Sequence, residues 1–290
     1  RYAYDNNMLT GNTRDDGTAC GFGGCLYTRP ASRSDDFWNV APKLSINYQL
    51  QSGATLYGNL SRGFRAPQAT ELYRLQNGQQ VADLDSEEID SLEVGIRVGD
   101  TRWSGDASAY AMRKRNSVFR DAEGFNISSA RSRHEGIEFA FDWQLHETLR
   151  LEIDASYARH TYDFDTVAAR GETFVAGNDV DTAPRWLGSA ELLFEPGNKA
   201  SLGLQWTSLG EYYVDAENLR TYPGHDLLNL RATIELTPTF DVTARLNNVF
   251  NEAYADRADF AFGQYRYFPG RSRELFIELE YRPQTSEPEP

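Results

Sequence analysis

Seven stretches of the chain alternate between apolar and polar positions. In each stretch every second residue is apolar or aromatic and never charged, whereas the residues between them include many charges. The apolar positions are Leu44, Ile46, Tyr48 and Leu50; Leu92, Val94, Ile96 and Val98; Ile137, Phe139, Phe141 and Trp143; Leu149, Leu151, Ile153, Ala155 and Tyr157; Leu228, Leu230, Ala232, Ile234 and Leu236; Val242, Ala244 and Leu246; and Leu275, Ile277, Leu279 and Tyr281. A period of two predicts β-strands whose two faces meet different surroundings. An arginine or lysine facing the middle of a bilayer costs about 2 to 4 kcal/mol on a transmembrane barrel, so this exclusion of charge indicates a lipid-facing surface.

The same alternation, broken by Gly, Pro, Asn and Asp, predicts about twelve strands. They cover approximately residues 1–6, 37–50, 54–65, 88–99, 101–115, 126–144, 148–162, 184–195, 199–212, 225–237, 240–252 and 270–282. Short turns alternate with long connections at 7–36, 66–87, 116–125, 163–183, 213–224 and 253–269. Short turns at one end and long loops at the other are typical of outer-membrane barrels, whose loops lie outside the cell. A soluble sandwich has strands of about 5 to 6 residues and no reason to segregate its loops.

We therefore expect an all-β chain that forms an antiparallel, up-and-down transmembrane β-barrel over residues 1–282. Residues 283–290 have no apolar period and are expected to be a disordered tail. No run approaches the roughly 20 apolar residues of a membrane-spanning helix. The chain starts at Arg1 inside a predicted strand, without an initiator methionine, so we interpret it as a fragment that lacks its N-terminal part.

The charge balance restricts the partners. A formal net charge of -14 argues against nucleic acid, because binding phosphates requires clustered Lys and Arg. It suits hydrated loops or a soluble exterior equally well.

The two cysteines, Cys20 and Cys25, bracket a Gly-rich segment, and a local disulfide is the economical interpretation. Such a bond would indicate an oxidising compartment such as the periplasm or the cell surface. Half of a zinc site and a pair of free thiols are the alternatives, although the nearest histidine in the sequence is His134.

Three segments resemble TonB-dependent outer-membrane receptors. They are Leu-Tyr-Gly-Asn-Leu-Ser-Arg-Gly-Phe-Arg-Ala-Pro at 56–67 with Glu-Leu-Tyr at 71–73, Arg-Ser-Arg-His-Glu-Gly-Ile-Glu at 131–138, and Leu-Asn-Asn-Val-Phe-Asn-Glu-Ala-Tyr at 246–254 with Tyr-Phe-Pro-Gly-Arg at 267–271. The resemblance implies a 22-stranded barrel in the bacterial outer membrane, of which this chain would supply about the last twelve strands. The N-terminal plug, which carries the segment that contacts TonB, would be absent from the chain. Outer-membrane lipid and the TonB-ExbB-ExbD system are the implied partners.

The resemblance also implies an active-transport receptor that imports a scarce ligand, with a ferric siderophore as our first choice. Cobalamin or an oligosaccharide would remain open as cargo. Haem fits less well, because no histidine lies between Pro67 and Arg133. A self-contained outer-membrane enzyme or passive pore is the alternative, and a secreted soluble β-protein comes third. We expect neither catalysis nor a cofactor, because the four histidines, His134, His146, His160 and His225, are far apart in sequence and the segments around them contain no catalytic set.

The long loops contain the candidate ligand-binding residues, because binding residues concentrate on connections held by a rigid scaffold. We select residues that combine aromatic faces with guanidinium groups: Arg29, Arg65, Tyr73, Arg74, Tyr265, Arg266 and Tyr267. Stacking and charge-assisted hydrogen bonds from such groups would suit a planar, anionic iron chelate. On the polar face of the strands, cross-strand ion pairs are expected to involve Arg97, Arg150, Arg231 and Arg245.

Overall fold

The computed structural model describes residues 1–5, 13–14, 27–28, 32–73, 82–120, 126–168 and 171–283. Their regular secondary structure is β-strand apart from one helical turn, α1 (Ala69–Leu72). The strands are β1 (Tyr2–Tyr4), β2 (Thr13–Arg14), β3 (Tyr27–Thr28), β4 (Arg33–Asp35), β5 (Lys43–Gln49), β6 (Thr55–Arg65), β7 (Glu87–Gly99), β8 (Trp103–Arg120), β9 (Asn126–His146), β10 (Leu149–Tyr162), β11 (Thr166–Val167), β12 (Thr173–Phe174), β13 (Trp186–Phe194), β14 (Ala200–Leu209), β15 (Tyr212–Tyr213), β16 (Thr221–Tyr222), β17 (His225–Thr237), β18 (Phe240–Asn247), β19 (Ala255–Ala261), β20 (Gln264–Pro269) and β21 (Glu274–Tyr281). In this part of the chain no helix has the length and apolar character needed to cross a membrane.

Eleven strands form one antiparallel sheet, which we call the wall. Its order is β5-β6-β7-β8-β9-β10-β13-β14-β17-β18-β21, so each strand pairs with the wall strand that precedes and follows it in the chain. This up-and-down order confirms eleven of the twelve predicted strands. Within the described residues β5 and β21 are the two edges of the sheet.

The first predicted strand, residues 1–6, forms as the short β1 but is not part of the wall, so only its expected place in the barrel was wrong. Instead β1 pairs with β4, and Tyr2 packs edge-on against Phe37 with ring centroids 6.1 Å apart. Tyr2 and Phe37 also pack against a small buried cluster around Leu72. These contacts with the loops explain why β1 leaves the wall.

The pairing register places the predicted apolar positions side by side on one face of the wall. Ile137 lies opposite Ala109 on one side and Tyr157 on the other, and the pattern continues to the pair of Ile277 and Ala244. The predicted apolar side chains on this face are exposed or half-exposed and none is buried, and Ile137 (58%) and Leu279 (72%) are among the exposed ones. A broad exposed apolar surface over eleven strands indicates contact with lipid.

The opposite, polar face contains the expected ion pairs. Arg97 contacts Asp106 at 2.6 Å, the Nε of Arg150 donates to Asp142 at 2.6 Å, and Arg245 contacts Glu278 at 3.1 Å. Arg231 lies opposite Arg245 in the register. Three of the four predicted arginines are therefore confirmed in ion pairs on this face.

Turns and loops are segregated as predicted. The connections 50–54, 99–103, 146–149, 194–200 and 237–240 are short and lie at one end of the wall. The described parts of the long connections lie at the other end, and we call them the loop collar: residues 66–73, 82–86, 163–168, 171–185, 210–224 and 248–273.

The predicted loop at 116–125 was too long, because β8 runs to Arg120 and β9 starts at Asn126. On the lipid-facing register the apolar positions give way to Arg113, Glu135 and Arg159. Beyond these charges lipid no longer demands alternation, and side chains of β8 pack against the loops instead: Phe119 contacts Phe164 and Phe174, and Val118 packs against the cluster around Leu72.

Candidate functional site

The loop collar contains an apolar core of its own. Its buried residues are Tyr212, Val214, Tyr222, Ala255 and Ala258. The Tyr212 hydroxyl accepts a hydrogen bond from the Ala258 N–H at 2.8 Å and donates to the Ala258 carbonyl at 3.3 Å. The Phe260 N–H donates to the Val214 carbonyl at 2.9 Å. The hairpin β19–β20 is thereby fixed to the preceding loop.

A buried aspartate shapes that preceding loop. Asp215 accepts from the Leu219 N–H at 2.8 Å and from Nη1 of Arg220 at 2.7 Å. Asn218 adopts a left-handed conformation with φ 57°, which Asn tolerates better than most residues. The Asn218 side chain accepts from the Asp179 N–H at 2.7 Å and donates to the Asp179 carbonyl at 2.9 Å. Asn218 therefore ties the loop at 215–220 to the loop around 179.

A cavity of about 590 Å³ opens among these loops. Its lining combines cationic, aromatic and acidic groups: Arg120, Arg220, Phe260, Phe262, Glu172 and Glu217. The guanidinium of Arg220 lies 3.8 Å from the centroid of the Phe260 ring. Asp215, which also lines the cavity, holds Nη1 of Arg220, so the pair presents a flat apolar ring beside a guanidinium whose charge is partly balanced; its remaining N–H groups suit planar anionic groups.

The acidic side of the cavity is electrostatically strained. The pKa of Glu172 is raised, first by the loss of hydration among the crowding loops and then by the negative charges of Asp181, Glu217 and Asp215. The residue nevertheless remains exposed at the surface. A cationic group that binds beside Glu172 would relieve this repulsion.

Arg65 is held by carboxylates. Its Nη1 and Nη2 donate to Glu71 at 3.0 and 3.1 Å, and its Nε donates to Glu87 at 2.9 Å. The contacts join α1 to the start of β7.

Tyr73 belongs to the same part of the collar, and its hydroxyl donates to Asp35. Burial, and then the hydrogen bond and charge of Asp35, raise the pKa of Tyr73 to about 12. Arg29, Arg74, Cys20 and Cys25 lie outside the described residues, so the disulfide and the roles of those two arginines stay predictions.

Tyr265, Arg266 and Tyr267 lie together on β20, as their sequence positions require. The rings of Tyr265 and Tyr267 stack with centroids 5.9 Å apart and an interplanar angle of 3°. The Nε of Arg266 donates to Asp259 at 2.5 Å, and its guanidinium lies 5.8 Å from the Phe262 ring. Arg266 thus meets the cavity through Phe262, and Tyr265 meets it through the Phe260 ring, whose centroid is 5.6 Å away.

Sequence reasoning missed Arg120, Glu172 and Arg220. The segment Asp215-Ala-Glu-Asn-Leu-Arg220 could have been predicted as a turn, since Asp and Asn stabilise turns through their side chains. Nothing in the linear sequence indicates that this turn meets Phe260.

The comparisons with known proteins agree with this architecture. A family model described as TonB dependent receptor-like, beta-barrel matches residues 2–249. The metal-pseudopaline receptor CntO of Pseudomonas aeruginosa is 24% identical over 249 residues, which are 83% of this chain and 33% of that protein. The chain therefore spans about a third of the length of the curated relatives that it matches.

Two solved structures show the same fold. The ferric yersiniabactin uptake receptor FyuA of Yersinia pestis superposes with a TM-score of 0.68 at 14% identity, covering 82% of this chain and 36% of that one. The copper transporter OprC superposes with a TM-score of 0.66 at 17% identity, covering 82% and 39%. These matched proteins are receptors and transporters, not enzymes. With most of its length matched by the family model, the chain belongs to the TonB-dependent receptors and forms part of their β-barrel in the bacterial outer membrane.

Proposed function

We propose that the intact receptor captures a metal chelate with its loop collar and imports it across the outer membrane. The energy would reach it from the TonB-ExbB-ExbD system through parts of the protein outside this chain. The family assignment supports this proposal, as do the functions of the proteins that the chain resembles, which include a metal-pseudopaline receptor, a ferric yersiniabactin uptake receptor and a copper transporter. We further propose that residues 1–282 act as one portion of the barrel, with a ferric siderophore as cargo.

The cavity in the loop collar carries this proposal. A volume of about 590 Å³ falls in the range of small-molecule sites, roughly 300 to 1,000 Å³. Arg120 and Arg220 can donate charge-assisted hydrogen bonds to the carboxylates or catecholates of a chelator. Phe260 and Phe262 provide the ring faces against which its planar parts stack.

The arrangement of the collar favours capture without large reordering. Asp215, Asn218 and Asp179 already fix the loops that line the cavity. A site that is ordered before the ligand arrives loses less conformational entropy on binding. We propose that Tyr265, Arg266 and Tyr267 extend this surface, and that Arg65 and Tyr73 position the neighbouring loop.

Uptake assays with the full-length receptor test the proposal. Iron-starved cells that lack other receptors would be given ferric catecholate, ferric hydroxamate, ferric carboxylate and nickel aminocarboxylate chelates. We expect uptake of at least one chelate, abolished by loss of TonB and reduced about tenfold or more by Phe262→Ala, because the exposed ring (72%) lies at the cavity.

Phe250→Ala is the matched control, since Phe250 is also an exposed aromatic residue of the collar (76%) but does not line the cavity. Uptake that persists without TonB would point to the passive pore and refute import by an energised receptor. Equal effects of the two substitutions would refute the assignment of the cavity.

A further inference from the structure

Two histidines that are remote in sequence meet across neighbouring wall strands. His134 on β9 lies directly opposite His160 on β10 in the register. Their Nδ1 atoms are 2.9 Å apart, and the ring centroids are 5.0 Å apart at an interplanar angle of 53°. Two neutral imidazoles in this arrangement can share a single proton between the two nitrogens.

The distance between the two nitrogens also matches a chelate. With metal–nitrogen bonds of roughly 2.0 to 2.1 Å, two nitrogens at a right angle about the metal are about 2.9 Å apart, whereas a tetrahedral angle requires about 3.3 Å. Right-angled nitrogen ligands suit Cu²⁺ and Ni²⁺, which prefer square-planar or tetragonal sites.

A neighbouring hydroxyl fits the same interpretation. Ser132 Oγ lies 2.9 Å from Nε2 of His134. When the metal binds Nδ1 of His134, the proton of the neutral ring lies on Nε2, and this N–H donates a hydrogen bond to Ser132 Oγ. No proton therefore has to leave the site. Such an outer hydrogen bond fixes the tautomer and the ring orientation of a ligating histidine.

Both histidines of the pair are half-buried, so neither side chain is sealed from solvent. Both histidines share the register of Glu138, on the polar face of the wall, at the level where Glu135 and Arg159 replace apolar residues on the lipid face. Met112 occupies the paired position on β8. The nearby cation Lys114 contacts Glu87 at 3.4 Å, a carboxylate that it shares with Arg65.

We propose that His134 and His160 form a two-imidazole site for Cu²⁺ or Ni²⁺ on the polar face of the wall. Among the described residues no group of three or more His, Cys, Asp or Glu side chains is arranged to hold a metal. The pair therefore leaves coordination positions open for water, or for donor atoms of the chelator that brings the metal. The suggestion that the chelator supplies donor atoms rests on the proposed import function, whereas the two-imidazole site itself does not.

Electron paramagnetic resonance of Cu²⁺ bound to the full-length, untagged receptor in detergent tests the site. We expect hyperfine structure from two nitrogens at one equivalent of Cu²⁺. His134→Asn or His160→Asn should each abolish the two-nitrogen pattern and weaken Cu²⁺ binding about tenfold or more. His146→Asn should change neither, because His146 lies at a turn beside Thr148 at the opposite end of the wall.

The wild-type spectrum is a test in itself, even if a variant fails to fold. Absence of Cu²⁺ binding, or coordination by fewer than two nitrogens, overturns the site. A two-nitrogen spectrum that survives His134→Asn, or that disappears in His146→Asn, also overturns it. Because binding is measured on purified protein, its failure leaves the import proposal standing, and a failure of uptake leaves the histidine site standing.

Discussion

The hydroxyl of Tyr212 is expected to control whether the hairpin β19–β20 stays docked. Tyr212→Phe keeps the ring in the collar core but removes the oxygen that bonds both to the N–H and to the carbonyl of Ala258. Tyr212 and Ala258 are 6% and 0% exposed, so water cannot replace the lost partner without the loop opening.

The magnitude follows from these contacts. Leaving buried backbone groups without a hydrogen-bond partner costs about 1 to 3 kcal/mol. That cost corresponds to an increase of about 5- to 150-fold in the opening equilibrium of the hairpin. The wall should be unaffected, because collar and wall can open independently.

Hydrogen–deuterium exchange of the full-length receptor measures this opening. Amides of residues 255–269 should exchange about 5- to 150-fold faster in Tyr212→Phe, while those of β9 and β10 keep their protection. Tyr213→Phe is the control, since the backbone carbonyl of Tyr213 bonds to the Thr182 N–H at 2.8 Å and stays in place.

Unchanged exchange in residues 255–269 would refute the reasoning, because the hydroxyl would then contribute nothing to docking. An equal acceleration of exchange in Tyr213→Phe would refute it as well. Faster exchange spread over the wall strands would show instead that collar and wall unfold as one unit.

Two further predictions concern the wall and the loop around α1. Ile137→Arg should lower the free energy of unfolding from vesicles by about 2 to 4 kcal/mol, and Glu138→Arg, on the opposite face, clearly less. Equal costs in urea titrations would contradict a lipid-facing position for Ile137. The folded state favours the neutral form of Tyr73, so its contribution to stability should be complete below pH 10 and be lost as the pH rises to about 12. Tyrosinate absorbance should therefore show one late-titrating group fewer in Tyr73→Phe, and an unchanged late-titrating population would contradict the assignment.

The wall could be predicted from sequence because lipid imposes a strict rule. Where one face meets hydrocarbon, as from Leu92 to Val98, any charge is costly and the alternation is clear. Beyond Arg113 and Glu135 lipid no longer restricts either face, so the outer end of β8 was predicted at 115 instead of Arg120, whereas the start of β9 at Asn126 was predicted correctly. Residues 1–6 were assigned to the wall because their alternation does not reveal that β1 pairs with β4 and packs against the loops.

The candidate site was harder to predict because it depends on contacts between distant loops. Arg65 was chosen as a ligand-binding residue, but Glu71 and Glu87 converge on its guanidinium. Arg220 was not chosen, although it lies over Phe260 at the cavity. His134 and His160 were treated as unrelated because 26 residues separate them, and only the strand register brings them together.

Because the collar has an apolar core of its own, its loops can be replaced without changing the wall. Because Tyr212, Val214 and Tyr222 of one segment pack against Ala255 and Ala258 of the other, substitutions in 212–222 and 255–269 escape the demands that lipid places on the wall. Selection for a new cargo can therefore remodel the collar while membrane insertion is preserved. In a chimaera of two receptors, both segments have to be transplanted together, since either one alone would arrive without its packing partner.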